Sequence, residues 1–153
     1  MSNDYFDLVI CTQVLEHVDN LEVTLGEIRR VLKSDGEAVI MVPFIYNAHG
    51  LPNDYRRYTM QGAIRLMSGF NVVKCHGQGG IGSTLAILLL NWIGVQKATS
   101  YIGRVIFTCL LPLWIPFCLL INTIARILDM LDTTSMFYNN VCLVVRKKAD
   151  QNP

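Results

Sequence analysis

Phe6-Asp7-Leu8-Val9-Ile10-Cys11, followed by Thr12-Gln13-Val14-Leu15-Glu16-His17, is the stretch that decides the fold. A short, nearly continuous apolar run that ends in polar residues reads as a strand buried on both faces of a parallel sheet, with a loop at its carboxyl end. Asp19 or Asn20 then caps a helix, Glu22 standing three after Asp19 as in a capping box. Leu21, Leu25, Ile28 and Leu32 recur at helical spacing, and Arg29, Arg30 and Lys33 gather where the helix dipole favours positive charge. Ser34-Asp35-Gly36 reads as a turn. Ala38-Val39-Ile40-Met41-Val42 is a second buried strand, stopped by Pro43. After an irregular stretch over 44–58, Thr59 caps a helix to about Ser68, with Met60, Ala63, Ile64 and Met67 on its apolar side. Gly69 suits its C-cap, and residues 70–75 form a third strand. Strands alternating with helices predict an α/β layered fold with a mainly parallel sheet. Ligands of such sheets sit beyond the carboxyl ends of the strands, here residues 12–17 and 44–58.

Composition supports one domain of ordinary size. The 153 residues are 52% hydrophobic and 16% charged, with a formal net charge of +1. That excludes a disordered polar chain and gives no basic excess for nucleic acid. Cys11, Cys75, Cys109, Cys118 and Cys142 are dispersed, with no CxxC and no His/Cys set at zinc spacing, so no metal site is expected. Without a signal peptide they read as reduced thiols of a cytoplasmic protein, packed as small apolar side chains. Charge is unevenly spread. Residues 1–74 hold seven basic and nine acidic side chains, whereas residues 75–137 hold only Lys97, Arg104, Arg126, Asp129 and Asp132.

That second region is an apolar helical insert before a final strand over 141–148. Residues 84–96 are apolar almost all round, but thirteen residues cover only about 20 Å as a helix. Residues 105–125 carry no charge, and Pro112 and Pro116 are expected to break them. Beyond, Phe117, Leu120, Ile121, Ile124, Leu128 and Leu131 form a stripe opposite Asn122, Arg126, Asp129 and Asp132, an amphipathic helix. Trp92, Trp114 and Tyr101 suit a membrane interface, where Lys97 and Arg104 would meet anionic headgroups. The leading expectation is a monotopic hairpin in the cytoplasmic leaflet; a buried cap or dimer interface and a transmembrane span are the alternatives. The boundaries are 1–80, 81–137 and 138–153. Gly77-Gln78-Gly79-Gly80-Ile81-Gly82 reads as a flexible hinge.

These pieces together resemble a class I S-adenosylmethionine-dependent methyltransferase of the type 11 branch. Residues 6–18 resemble that family's fourth strand and following loop. Arg30-Val31-Leu32-Lys33-Ser34-Asp35-Gly36 resembles its RVLKPGG turn, and His49-Gly50-Leu51-Pro52-Asn53-Asp54-Tyr55-Arg56-Arg57-Tyr58-Thr59 an H-x-x-P-x-D-aromatic-x-R-Y-T segment of one bacterial subgroup. Gly69-Phe70 precedes the sixth strand of the family, and residues 141–148 resemble its seventh. The family's glycine-rich cofactor loop and ribose-binding acid precede the matching region. The resemblance therefore implies a partial Rossmann-like methyltransferase sheet, the family's strands four to seven, whose first strand here is an unpaired apolar edge. A second chain or another copy would complete the sheet.

By that resemblance Cys11, Thr12 and Gln13 border S-adenosylmethionine, and Glu16, Asp54, Tyr55 and Arg57 line the acceptor site. His49 and His17 are the candidates to take a proton from an acceptor hydroxyl. Each has a plainer reading: a strand end for residues 11–13, a polar helix-entry pair for Glu16 and His17, and a loop-ordering ion pair for Asp54 and Arg57. The expected function is methyl transfer to a hydroxyl of a glycan or lipid-linked acceptor, peripheral on the inner face of a membrane. The alternative is a non-catalytic membrane-associated interaction module.

Overall fold

The computed structural model describes residues 2–148, the side chains of Lys97 and Ala98 excepted, so the headgroup contact expected of Lys97 lies outside the described residues. The chain divides into two compact units. The first holds a four-stranded sheet in the order β1-β2-β4-β3, with β1 Phe6–Thr12, β2 Leu32–Pro43, β3 Phe70–Gln78 and β4 Asn140–Lys147. β1 runs parallel to β2, and β4 lies antiparallel between β2 and β3. Helix α1 (Leu21–Val31) joins β1 to β2, and α2 (Met60–Leu66) precedes β3. The α/β class is as expected from the alternating pattern, but the sheet is mixed rather than mainly parallel in its pairing, because β4 runs against both its neighbours.

Both crossovers step in the same direction across the sheet, so their right-handedness places α1 and α2 on one face. Burial alternates accordingly. Ala38, Ile40 and Val42 of β2 and Val141, Leu143 and Val145 of β4 are fully buried, while Val39, Met41 and Val144 between them are half-buried. On β1, Cys11 joins the covered face beside Ile40. Leu8 and Ile10 point the other way and are 51% and 66% exposed, so β1 is not buried on both faces. It is an edge strand paired to β2, and its outward face is open among the described residues.

Local chemistry sets the joints. Asn20, rather than Asp19, caps α1, its Oδ1 accepting from the Val23 backbone N–H at 3.2 Å. Thr59 caps α2 as expected, its hydroxyl accepting from the Gly62 N–H at 3.1 Å, and α2 ends on Met67 rather than on Gly69. Ser34-Asp35-Gly36 is not a separate turn but lies within β2. There the β1–β2 register shifts between Phe6 and Leu8. A Cβ on Gly36 would stand 3.0 Å from the Phe6 carbonyl oxygen, so glycine lets the two backbones meet.

The second unit comprises residues 45–47 and 79–139 and holds helices α3 (Ile81–Thr99), α4 (Tyr101–Cys109) and α5 (Leu111–Leu131). Pro112 and Pro116 do not break α5. Pro112 sits in its first turn, where no backbone donor is needed, and the helix carries Pro116 within it. Gly80 and Gly82 begin α3, where they serve packing rather than a hinge: a Cβ on Gly82 would lie 2.0 Å from the Ala125 carbonyl oxygen of α5. Asp129 of α5 accepts from the Ser83 N–H at 3.0 Å and from the Ser83 hydroxyl. Ala125 and Asp129 of α5 thus face α3, while Leu113, Ile115, Leu119 and Leu131 are 63–71% exposed. This reverses the amphipathic expectation for Asp129, which faces a neighbouring helix. Twenty-one residues span about 31 Å, and α5 is long and apolar enough to cross a membrane.

Candidate functional site

The site lies in the first unit, beyond the carboxyl ends of β1 and β2. β1 ends at Thr12, and the chain turns at Gln13, whose φ of 54° is unusual for a residue with a side chain. Gln13 is anchored twice: its N–H donates to the Met41 carbonyl at 3.0 Å, and its side-chain amide donates to Asn140 Oδ1 at 2.9 Å. Thr12 is exposed, whereas Cys11 is buried, and burial, aided by the charge of Glu16, pushes its thiol above the ordinary value. Of the three residues expected at a cofactor, Thr12 faces outward while Cys11 and Gln13 are engaged by the sheet.

The segment after β2 folds back over residues 15–19. Arg56 donates to the backbone carbonyls of Val18 and of Asp19, the latter at 2.9 Å, and its guanidinium lies 5.6 Å from the Tyr55 ring centroid. The Tyr55 N–H donates to the Glu16 carbonyl at 3.0 Å, and the Tyr55 hydroxyl to Asn53 Oδ1 at 2.9 Å. Arg57 forks onto Asp54 at 2.6 and 2.8 Å, and Asp54 also accepts the His49 N–H at 2.9 Å. Asp54 is nearly buried. The Arg57 hydrogen bonds, joined by the one from His49, hold its carboxyl well below the usual carboxylate range.

This clamp brings His49 to His17. Their Nε2 atoms stand 3.0 Å apart and their rings cross at 85°. His17 Nδ1 lies 2.5 Å from the Asn53 carbonyl oxygen, an acceptor only, so Nδ1 carries a proton and Nε2 is the atom turned to His49. Glu16 is fully buried beside them, its Oε1 3.9 Å from His17 Nε2. The structure therefore gathers Glu16, His17, His49, Asp54 and Arg57. Tyr55 is half-exposed at the rim. Sequence spacing did not reveal that Glu16, His17 and His49 form one set; 32 residues separate the two histidines in the chain.

Comparison with known proteins places this arrangement. Residues 1–40 match the family described as methyltransferase domain. A stretch of 37 residues, 24% of this chain, is 54% identical to an uncharacterized protein of Methanocaldococcus jannaschii, of which it covers 16%. Among solved structures, the [4+2]-cyclase SpnF superposes with a TM-score of 0.55 at 14% identity, over 97% of this chain and 52% of that one. Coclaurine N-methyltransferase, solved bound to N-methylheliamine and SAH, gives 0.52 at 12% identity, over 95% and 50%. The chain thus spans about half the length of these structures. A cyclase and a methyltransferase on one fold show that the fold alone does not set the reaction. Residues 1–40 thus match a methyltransferase domain, and the chain shares the fold of these two structures.

Proposed function

We propose that this chain carries part of an S-adenosylmethionine-dependent methyltransferase domain that acts at a membrane surface on a hydroxyl of a lipid-linked or glycan acceptor. The observation that carries the reading is the His17–His49 pair, set beyond the carboxyl ends of β1 and β2, where sheets of this type hold their ligands. S-adenosylmethionine, when bound, supplies an electrophilic methyl group. Thr12 borders it. The Arg57–Asp54 clamp fixes His49, and the Asn53 carbonyl fixes the tautomer of His17, so that an imidazole Nε2 receives the acceptor's proton. Placing acceptor and methyl in line provides most of the acceleration.

Two features of the helical unit support the membrane and lipid parts. The outward side chains of α5 are mostly apolar, Leu113, Ile115, Leu119, Leu120, Ile127 and Leu131 among them. Trp92, Phe107, Leu113, Trp114 and Phe117 line an apolar cavity of about 420 Å³ among α3, α4 and α5, which suits an acyl or prenyl chain. Calorimetry with S-adenosylmethionine tests the cofactor half of the proposal, and transfer of radiolabelled methyl to a membrane lipid extract tests the acceptor half. Label recovered in the lipid phase supports the reading. Binding without transfer to any lipid or glycan fraction refutes the acceptor, and no binding leaves the interaction module as the better account. Flotation with vesicles of anionic lipid tests localisation, and a chain that stays at the bottom of the gradient refutes membrane association.

A further inference from the structure

Glu16 poses a problem that the methyltransferase reading does not solve. Its side chain is fully buried, and neither carboxylate oxygen has a hydrogen-bond partner. An unpaired buried carboxylate is worth several kcal/mol of destabilisation. The two imidazole Nε2 atoms beside it converge at 3.0 Å, and the His17 Nδ1 proton is committed to Asn53, which turns a lone pair of His17 toward His49. Three electron-rich donors therefore point at one spot; the charge of Arg57, which forks onto Asp54, reaches Glu16 without a hydrogen bond between them.

We infer that Glu16, His17 and His49 form a binding site for a divalent transition-metal ion of the zinc type. The three donor atoms lie within 4.8 Å of one another. Two donors bound at about 2.1 Å in the tetrahedral geometry zinc favours stand about 3.4 Å apart. The two imidazole nitrogens at 3.0 Å would open by about 0.4 Å, and Glu16 Oε1, 3.9 Å from His17 Nε2, would close by about 0.5 Å on loading. Two imidazoles and a carboxylate are the donor set that zinc, iron and cobalt favour over magnesium or calcium. The outer contacts match those of metal-ligating histidines. His17 Nδ1 meets a backbone carbonyl, and His49 Nδ1 faces the Asp54 carboxylate at 3.7 Å, itself held by Arg57. His17 and His49 are 27% and 31% exposed, which leaves an entry path from solvent. With both Nε2 atoms on the ion, a coordination position left open would take the acceptor hydroxyl and lower its pKa in place of proton transfer to an imidazole. That role rests on the proposed methyl transfer, whereas ion binding does not.

Titration of the full chain with Co²⁺, followed by visible absorption, tests the site, with Zn²⁺ as competitor. A one-to-one rise of d–d bands that Zn²⁺ abolishes is expected. Glu16→Gln, which keeps the shape of the side chain, and His49→Ala should each weaken binding at least tenfold, whereas His76→Ala should leave it unchanged. Zn²⁺ should raise the melting temperature of the parent chain and not that of Glu16→Gln. No bands at millimolar Co²⁺ in a chain with native circular dichroism would overturn the proposal and leave a proton shared between the two histidines. Bands that survive unchanged in both variants would overturn it equally. Calorimetry with S-adenosylmethionine reads the cofactor separately, so failure of one reading is not failure of the other.

Discussion

Gly82→Ala adds one methyl group at the contact between α3 and α5, where there is no side chain to yield. The new Cβ would stand 2.0 Å from the Ala125 carbonyl oxygen, 2.7 Å from its carbon and 2.8 Å from its Cα. Heavy atoms meet comfortably near about 3.5 Å, so α5 must retreat by about 1.5 Å. The 3.0 Å bond from Ser83 N–H to Asp129 then stretches beyond hydrogen-bonding range. Overpacking of this kind costs about 1–3 kcal/mol, and a bond to a charged group contributes about 1.5–3 kcal/mol. The helix-propensity gain on leaving glycine returns at most about 1 kcal/mol, and less in a first turn. The net expectation is destabilisation by about 2–4 kcal/mol. Gly94 provides the internal control: it lies in the same helix, is exposed, and has nothing within 4 Å of its Cβ position. Gly94→Ala should therefore stabilise by up to about 1 kcal/mol. Thermal unfolding of both variants in detergent, followed by the helical circular dichroism signal, reads the sign directly. A Gly82→Ala chain as stable as Gly94→Ala would refute the close approach of α3 and α5.

Three further outcomes are expected. Asp54→Asn should destabilise the first unit by about 2–3 kcal/mol, because Arg57 loses its charged partner, and urea titration followed by proteolysis within 44–59 measures it. Asp54 has a lowered folded pKa, so its stabilising effect is full above its unfolded pKa of about 3.9 and fades as pH falls below that; the parent chain should lose stability more steeply than Asp54→Asn between about pH 4 and 2. Cys11 should resist iodoacetamide until the chain is denatured, since it is buried and its thiol is pushed upward, and labelling of Cys11 in the folded chain would contradict its placement. Ile10→Lys should reduce self-association in light scattering while changing stability by less than about 0.5 kcal/mol, because this side chain is 66% exposed on the open face of β1.

The sheet was legible because its signals are local. Runs such as residues 38–42, the caps Asn20 and Thr59, and the order of the motifs each depend on neighbours a few residues away. Exposure on β1 was not legible, since an apolar run tells what a strand can bury and not which faces are covered. The course of α5 is illegible for a related reason: Pro112 stands in the first turn, where no backbone donor is needed, and the helix carries Pro116 within it at the loss of a backbone hydrogen bond. The same helix carries Asp129 toward Ser83, and no periodicity reveals whether a polar stripe faces water or another helix. At the site, His17, His49, Asp54 and Arg57 were each visible as chemistry-bearing residues. Their convergence with the orphaned carboxylate of Glu16 depends on Arg56 and Tyr55 binding backbone groups of residues 16–19, which has no sequence signature.

The position of β4 between β2 and β3 has a consequence during synthesis. β2 and β3 share no hydrogen bonds with each other and meet only through a strand made about 60 residues after β3 ends. All three apolar helices leave the ribosome in that interval. Helices α3, α4 and α5 can therefore pack together before the sheet closes, and the arrival of β4 is the event that joins β2 to β3.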